Sequence, residues 1–556
     1  MSPLPARLAS RDIPWWPHPS QRHKEDRSTF LRSTVLDRVK VLGNDRDYGH
    51  AGCVNALHWA REGELLLSAG DDTTVQIWRM DPNESSEDYP FKCQTVIHTG
   101  HRANIFNAHM LPYSSRIATV AGDRQVRVFD IADDHGSISP PRSDLLDSGK
   151  REEYLSDSGI RTHTLHCHSG RVKRIVTENS PDLFLTVAED GTVRQHDLRA
   201  PHTCRSGSCP APILSVDHEL SAIGVSPLTP YQLVVAGLSP YGYLFDRRHT
   251  GRILREEWGM RPNGVTTCVR RFGRSAEDRK KAPSSYSDHI TGARMASENG
   301  HEVLLSYSGD GVYLYSALDD PDPPKSNRSM VRPNLKRRRL SSSSRSSESE
   351  LLQSDERELD TDEEGEEPAE ASSDGESDDH DDVKDGDDND QSDEDDEFQP
   401  WVPVVMPRKR YAGARNTRTV KDVNFLGPRD EYVTSGSDDG NFFIWDKSSG
   451  DLQGLYEGDG SVVNVIEGHP HLPLVAVSGI DHTVKLFGPA RGGPSRFSKM
   501  QNAENIMKNN IQASGRDFRT IRSRDFFSLL VALQAHEESG EDGESEDGTP
   551  AECANQ

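Results

Sequence analysis

The densest group of side chains suited to chemistry lies near residue 165. Its members are of the two types that most often bind zinc, namely His163, His166, Cys167 and His168, with Cys204 and Cys209 further along. Their spacing is not that of a recognised zinc module. His168 also opens a His-Ser-Gly tripeptide that stands where a tight turn recurs elsewhere in the chain. We therefore predict no metal site at this position.

The sequence also lacks the short motifs that build common active sites. It contains no GxxxxGK[ST] phosphate loop, no GxSxG nucleophile turn and no HExxH zinc motif. We expect no catalytic residues, no cofactor and no enzymatic activity.

One short motif occurs twice. Asp197 precedes Arg199 by two residues, and Asp246 precedes Arg248 in the same way. The planar guanidinium group of arginine suits recognition of carboxylates and backbone carbonyls on a partner. Alternatively, each pair forms a salt bridge that closes its own strand end. The sequence leaves both interpretations open.

A repeated offset organises the chain around these residues. Asp72 is followed six residues later by Trp78, and six further pairs share this spacing: Asp123 and Phe129, Asp190 and His196, Ser239 and Phe245, Asp310 and Ser316, Asp439 and Trp445, and Asp481 and Phe487. An apolar run precedes each turn and an alternating run follows it, a pattern typical of a β-hairpin. A further strand precedes most of the hairpins.

Four-stranded units of this kind bury both faces only when they stack around an axis. A Gly-His pair at His101 and a Trp-Asp pair at Trp445 match the WD-repeat signatures. The sequence thus predicts an all-β fold, a seven-bladed WD40 β-propeller. We expect the repeat histidines to hydrogen-bond the turn aspartates, as His50 and Asp72 would, and residues 35–43 to close the ring.

Charge is concentrated outside the repeats. The net charge is −26, and residues 355–397 carry 25 acidic and two basic side chains, which account for 23 of these charges. Such a segment cannot bury enough apolar surface to fold. We divide the chain into an N-terminal arm, largely disordered or a short helix (1–33), blades one to five (34–317), a long disordered basic, serine-rich and acidic insertion (318–405), blades six and seven (406–490), a short helical C-terminal extension (491–536) and a disordered acidic tail (537–556).

The sequence also predicts that the protein resides in the nucleus. Four consecutive basic residues resemble a nuclear localisation signal, although a solvated charge run is the alternative: Lys336, Arg337, Arg338 and Arg339. The N-terminus lacks the apolar run of a signal peptide, and no stretch approaches the roughly 20 apolar residues of a membrane helix. We expect a nuclear protein, with the cytoplasm also open, and no membrane partner.

The chain resembles the WD-repeat substrate receptors of cullin-4 RING ubiquitin ligases, most closely the branch with an acidic insertion before the last two repeats. The resemblance spans nearly all of the repeat region and rests on HAGCVNALHW, SAGDDTTVQIW, GHRANIFNAHMLP, EDGTVRQHDLR, RTVKDVNFLGPRDEYVTSGSDDGNFFIWDK and VVNVIEGHPHLPLVAVSGIDHTVKLFGP. It implies a non-catalytic receptor that presents a target protein to the ligase.

The resemblance also implies which residues bind the ligase adaptor, which links the receptor to cullin-4 and the RING subunit. In the family, a Trp-Asp-x-Arg box on two successive blades makes this contact, and the matching positions in this chain are Asp197, Arg199, Asp246 and Arg248. The chain departs from the family at the first position of each box, where His196 and Phe245 replace tryptophan. A helix over residues 28–38 is a second implied contact.

Target binding is expected on the opposite face or at the central opening, where loops converge. The candidates stand just before inner strands and are mostly basic: Arg102, Asn104, Arg171, Arg415, Asn416 and Arg418. The alternative function is that of a nuclear or histone-associated scaffold unconnected to ubiquitin. In it the acidic insertion binds histones or other basic proteins, although a solvated linker also explains its composition. We expect no direct nucleic-acid binding.

Overall fold

The computed structural model describes residues 35–44, 49–81, 89–131, 153–156, 160–200, 204, 209–248, 268–275, 289–321, 398–399, 402–489 and 495–523. All of them belong to a compact unit formed by residues 1–323 and 398–556. A second unit, residues 324–397, lies outside the described residues. So do the N-terminal arm, the basic cluster at Lys336–Arg339 and the acidic tail.

Seven sheets form within the described residues, which confirms the predicted seven-bladed propeller. The strands are numbered in chain order, and those of each blade run from the innermost strand outward. Blade 1 contains β2 (Val54–Ala60), β3 (Leu65–Gly70), β4 (Thr74–Met80), β5 (Phe91–His98) and β9 (Glu153–Ser156). Blade 2 contains β6 (Ile105–Met110), β7 (Arg116–Ala121), β8 (Val126–Asp130) and β10 (Arg161–Leu165). Blade 3 contains β11 (Val172–Thr177), β12 (Leu183–Ala188), β13 (Thr192–Asp197) and β14 (Leu214–Ser215).

The remaining blades follow the same plan. Blade 4 contains β15 (Leu220–Val225), β16 (Gln232–Gly237), β17 (Gly242–Asp246), β18 (Cys268–Phe272) and β22 (Val404–Val405). Blade 5 contains β19 (Ile290–Met295), β20 (Glu302–Tyr307), β21 (Val312–Ser316) and β23 (Lys409–Tyr411). Blade 6 contains β24 (Val423–Leu426), β25 (Tyr432–Gly436), β26 (Asn441–Asp446) and β27 (Leu452–Glu457). Blade 7 contains β28 (Val463–Gly468), β29 (Val475–Gly479), β30 (Val484–Pro489) and β1 (Leu36–Leu42).

The ring is closed by the strand predicted to close it. β1 pairs antiparallel with β30, from Leu36 opposite Pro489 to Leu42 opposite Val484. The expected helix over residues 28–38 is therefore wrong at its end, because Leu36, Asp37 and Arg38 lie in β1. Its first part lies outside the described residues.

Apolar clusters fill the spaces between neighbouring blades. Between blades 7 and 1, for example, Trp78 and Phe91 pack with Leu474 and Leu486, and all four are buried. Burying a large apolar side chain of this kind contributes roughly 1.5–3 kcal/mol. Because each blade gains this contribution only from its neighbours, the seven sheets stabilise one another.

The predicted insertion overlaps the propeller at its C-terminal end. β22 (Val404–Val405) adds a parallel fifth strand to blade 4, beside β18. β23 (Lys409–Tyr411) pairs with β21 and is the outer strand of blade 5. The predicted insertion, 318–405, thus includes propeller residues at its C-terminal end, and it interrupts blade 5 rather than separating blades 5 and 6. Strands of two and three residues are too short to show a repeat pattern.

One helix follows the last blade within the described residues, as the sequence predicts: α1 (Ala503–Ser523). It packs on blade 6 because Asn510 Nδ2 donates to the Gly413 carbonyl and to Asp439 Oδ2, at 2.9 Å each. Gly413 has φ +111°, and a Cβ there would lie 2.6 Å from Met507 Cγ. Only glycine allows this approach. The predicted continuation to residue 536 lies outside the described residues.

No helix of the described residues is both long and apolar enough to span a membrane.

Candidate functional site

The repeat histidines and turn aspartates interact as predicted, which assigns them to the fold. In blade 1, His50 Nδ1 lies 2.9 Å from Asp72 Oδ2, and its Nε2 lies 2.8 Å from Ser68 Oγ. Trp78 Nε1 donates to the same hydroxyl at 2.8 Å. Burial opposes ionisation of Asp72, but the contact with His50 and the backbone N–H groups of Thr74 and Ala51 together outweigh it and hold the pKa below its usual value.

Blade 3 builds the same network with a different side chain. His168 contacts Asp190 at 3.0 Å through Nδ1 and Thr186 Oγ1 at 2.8 Å through Nε2. His196 Nε2 then lies 2.8 Å from Thr186 Oγ1 and so takes the place of the Trp78 indole. His196 is 4% exposed and Phe245 is wholly buried. The first position of each box therefore packs into the propeller and does not reach its surface.

The aspartates of the two boxes occupy equivalent positions. Asp197 is the last residue of β13 and lies opposite Leu183, the first residue of β12. Asp246 is the last residue of β17 and lies opposite Gln232, the first residue of β16. The sequence predicted this equivalence from the repeat alone. We call the surface formed by Asp197, Arg199, Asp246 and Arg248 the box rim.

Each arginine of the box rim forms a two-point ion pair with its own aspartate. Arg199 Nε and Nη2 donate to Asp197 Oδ1 and Oδ2, both at 2.9 Å. Arg248 repeats the geometry on Asp246, at 2.9 and 2.5 Å. The side chains nevertheless remain 64% and 62% exposed, respectively. Each salt bridge closes its strand end, yet the guanidinium group stays available to a partner.

The surroundings of the box rim fix these arginines further. The hydrogen bonds from Arg199 hold the pKa of Asp197 below its usual value. The ion pair that clamps Arg199 in place therefore stays charged at neutral pH. The Arg248 guanidinium lies over the Tyr231 ring at 4.1 Å from its centre, a cation–π arrangement.

A residue that sequence reasoning did not single out joins the two boxes. Arg247, inside the second box, donates from Nη2 to Gln195 Oε1 on β13 at 2.8 Å. It also pairs with Glu178 at 2.7 Å. Both acceptors belong to blade 3, so Arg247 links the blades that carry the two boxes.

The candidates for the target face lie at the opposite end of the blades. Arg102 and Asn104 precede β6, Arg171 precedes β11, and the other three precede β24. Arg102, Arg171 and Arg418 are exposed, and Asn104 and Arg415 are half-buried. Arg171 is held by Glu189, whose Oε2 lies 2.6 Å from Nε.

Asn416 corrects this set. It is 5% exposed, and its Nδ2 lies 2.9 Å from Thr291 Oγ1 and 3.2 Å from Ser306 Oγ. Its amide therefore joins blades 5 and 6 inside the fold, where a partner does not reach it.

The central opening, the other expected place for a target, is bridged by charged side chains. Arg174 Nη2 of blade 3 lies 2.6 Å from Asp422 beside blade 6, and Arg294 of blade 5 lies 3.5 Å from Glu467 of blade 7. Beside them the rings of His58 and His109 stack with centres 4.1 Å apart. Burial, together with Arg294, lowers the pKa of His58 to about 4.

The cysteine and histidine group near residue 165 separates in the structure. His168 serves the blade 3 network, and His163 Nδ1 lies 3.0 Å from Thr162 Oγ1. The sulfur atoms of Cys167, Cys204 and Cys209, however, all lie within 4.8 Å of one another. The sequence separates these cysteines by 37 and five positions, and only the loop between β13 and β14 brings them together.

Comparison with known proteins agrees with this architecture. The repeat family described as WD domain, G-beta repeat matches residues 44–79 and 408–446. These ranges include most of the β2–β4 meander of blade 1 and the β24–β26 meander of blade 6.

The chain therefore contains repeats of this family in at least blades 1 and 6.

Three curated relatives extend the match over about half of the chain. The chain is 34% identical to WD repeat protein iqw1 of Schizosaccharomyces pombe, over 55% of this chain and 35% of that protein. It is 32% identical to Protein ALTERED SEED GERMINATION 2 of Arabidopsis thaliana, over 52% and 37%. It is 30% identical to human DDB1- and CUL4-associated factor 6, over 56% and 33%. The chain thus spans about a third of the length of these relatives, and the predicted resemblance to cullin-4-associated WD-repeat proteins is confirmed.

Proposed function

We propose that this WD-repeat protein is a non-catalytic substrate receptor of a cullin-4 RING ubiquitin ligase. The box rim binds the ligase adaptor, which we infer to be DDB1 because one relative is named as associated with DDB1 and CUL4. The receptor contributes proximity, holding a target protein where a ubiquitin-charged enzyme reaches it.

The observation that carries the proposal is the geometry of the box rim. Two arginines on adjacent blades are each held by a two-point ion pair, and both stay more than half exposed. Their side-chain conformations are fixed before a partner arrives, so binding costs less conformational entropy. Arginines that are rigid and exposed are frequent hot spots of protein interfaces.

Arg247 supports the same conclusion. Because it donates to Gln195, it couples β17 to β13 across the gap between blades 3 and 4. An interface that contacts both boxes at once needs their relative position to be fixed, and this contact contributes to fixing it.

The target protein binds elsewhere, so that both partners are held together. We place it on the loops before the inner strands, where Arg102 and Arg418 are exposed. Exposed guanidinium groups favour an acidic or phosphorylated surface.

The proposal is tested by measuring the affinity of the purified full-length chain for the adaptor bound to cullin-4. The test variant combines Arg199→Ala with Arg248→Ala, and we expect its Kd to rise at least about tenfold, as for a pair of interface hot spots. A matched control combines Arg79→Ala with Arg408→Ala. These two exposed arginines pair with Glu64 and Asp319, on blades 1 and 5, away from the boxes. This control should bind like the wild type.

Equal affinity of the test variant and the wild type would show that the box rim is not the contact. Recovery of histones without cullin-4 from nuclear extract, by wild type and variant alike, would favour the scaffold function instead.

The nuclear compartment is a separate proposal, based on the basic cluster at Lys336–Arg339. Replacing these four residues with alanine should move a fluorescently tagged chain from the nucleus to the cytoplasm. An unchanged distribution would contradict the assignment.

A further inference from the structure

Three thiols from distant parts of the chain meet where blade 2 packs on blade 3. Cys167 lies between β10 and β11, whereas Cys204 and Cys209 lie in the loop between β13 and β14. Cys167 is buried, and the other two are partly buried. All three pack against the apolar cluster of these blades, which includes Leu165 and Phe184.

The distances fit metal coordination better than a disulfide bond. The sulfur atoms of Cys167 and Cys204 are 3.6 Å apart. A disulfide requires about 2.05 Å. Four ligands placed tetrahedrally around zinc, with Zn–S bonds of about 2.3 Å, leave sulfur atoms about 3.8 Å from each other. Cys209 completes a triangle in which no sulfur pair exceeds 4.8 Å.

Blade 3 also needs a support at this place. Its outer strand, β14, contains only Leu214 and Ser215, whereas the outer strand of blade 6, β27, has six residues. The pairing of β14 with β13 therefore involves only two residues of each strand. A metal bound by Cys167, Cys204 and Cys209 would cross-link this loop to the junction of blades 2 and 3.

We propose that Cys167, Cys204 and Cys209 bind one structural Zn²⁺ ion, with the imidazole of His166 as the fourth ligand. His166 is exposed and adjacent to Cys167 in the chain, and its ring turns towards the sulfur atoms when the ion binds, since neither ring nitrogen lies within 4.8 Å of all three in the structure. Its backbone N–H already donates to the sulfur of Cys204 at 3.2 Å, an outer-shell contact that stabilises a metal-bound thiolate. Three cysteines and one histidine are a common donor set of structural zinc sites.

Nearby charge is compatible with such a site. Three thiolates around Zn²⁺ leave one net negative charge. The Arg194 guanidinium donates to the Pro210 carbonyl at 2.8 Å and so lies beside the same loop. It offsets part of that charge.

The test is the metal content of the full-length chain, purified without a histidine tag under reducing conditions and after incubation with zinc. We expect about one zinc per chain in the wild type. The variant combining Cys204→Ser with Cys209→Ser should lose it, while Cys93→Ala, which removes a buried thiol outside the cluster, should retain it. Circular dichroism establishes that both variants are folded.

Cobalt substitution reports directly on the ligands that surround the metal. Co²⁺ added to the metal-free wild type should give one equivalent of tetrahedral visible bands with sulfur-to-metal charge transfer. His166→Ala should change the visible bands and weaken binding while the charge-transfer intensity of three thiolates remains.

The results that overturn the proposal are equally direct. Wild-type chain that holds no more zinc than the double cysteine variant excludes the site, as does a Cys167–Cys204 disulfide found by mass spectrometry under the same reducing conditions. A cobalt spectrum unchanged by His166→Ala excludes His166 as the fourth ligand.

Discussion

The box rim and the interior of the propeller both pair cations with carboxylates, but they expose opposite amounts of the cation. At the box rim, Arg199 and Arg248 remain more than 60% exposed beside their aspartates. In the interior, Arg174 is 17% exposed beside the central opening, and Lys421, paired with Asp438 at 2.5 Å, is fully buried. The same chemistry therefore leaves charge exposed at the box rim and stabilises the fold in the interior.

The comparison is sharpened by a third aspartate at a strand end. Asp446 ends β26 as Asp197 ends β13, but its Oδ1 accepts hydrogen bonds from the backbone N–H groups of Ser448 and Ser449, both at 2.9 Å. No arginine follows it at the second position. A strand-end aspartate thus closes its turn by default, and an arginine two residues later adds an exposed guanidinium group, which we propose that a partner recognises.

The largest expected effect is on the buried pair. Burial lowers the pKa of Lys421. In Asp438, burial is outweighed by Lys421 and by the backbone N–H groups of Thr417 and Arg418, so the pKa of this carboxyl is lowered as well. Lys421→Met leaves the buried Asp438 carboxylate with only Arg415, 3.7 Å away, as a cation. The loss should be about 3 kcal/mol of unfolding free energy, the low end of the range for breaking a buried pair. Thermal denaturation measures the loss, and adaptor affinity should not change.

Adding Asp438→Asn to Lys421→Met should recover part of that stability, because the buried charge is removed. If the single variant melts like the wild type, the pair does not have the role that its burial indicates.

The stacked histidines of the central opening predict a pH dependence that the box rim does not share. The pKa of His58 is about 4 in the folded chain, against 6.5 unfolded. The neutral ring therefore favours folding above pH 6.5, and stability is lost as the pH falls from 6.5 towards 4, because only the unfolded chain then binds the proton. Between pH 7 and 5 the loss should be roughly 1–2 kcal/mol.

Melting curves of wild type and His58→Gln at pH 7 and pH 5 check this expectation. The variant should show a smaller drop in its midpoint. Equal drops would mean that His58 does not contribute to the pH dependence.

If the box-rim aspartates clamp their arginines in a binding-competent position, removing this clamp should have a smaller effect, on adaptor affinity. Asp197→Asn combined with Asp246→Asn keeps both arginines but removes the charges that fix them, so adaptor affinity should fall severalfold, about 1 kcal/mol. The same change at Asp446→Asn alters a turn and should leave affinity unchanged. Titration calorimetry of the three proteins makes the comparison, and equal affinities throughout would show that the clamp is dispensable.

The smallest effect is expected at the first position of the box. His196→Phe removes one hydrogen bond to Thr186, which costs about 1 kcal/mol of stability. His196→Trp should cost less, because an indole makes this contact in blade 1. Neither should change adaptor affinity, since His196 is buried; a loss of binding at unchanged stability would contradict that.

Local patterns explain why the blades were predictable. Each hairpin is contained in a few residues around a turn, so the offset from Asp72 to Trp78 reports it directly. The equivalence of Asp197 and Asp246 follows from the same count. The sequence could not show what His196 does in place of the family's tryptophan. Its hydrogen bond to Thr186, seen only in the structure, shows that it takes over the contact that tryptophan makes in blade 1.

What the sequence did not predict depends on long-range contacts. β22 and β23 are recognised only by their pairing with β18 and β21, and three cysteines separated by up to 42 positions meet only after folding. Arg247 is similar: nothing in its neighbourhood of the sequence indicates that it contacts Gln195.

Closure of the ring also has a consequence for synthesis. β1 pairs with β30, and Val484, the first residue of β30, lies 442 positions after its partner Leu42 in the chain. At 5–20 residues per second, a ribosome needs roughly 20–90 s to produce it. During that time β1 is an unpaired edge, which other chains can extend. Asp37, Arg38 and Lys40 place charges along it, and its register shifts between Arg38 and Lys40. These are features that discourage aggregation before the last blade emerges.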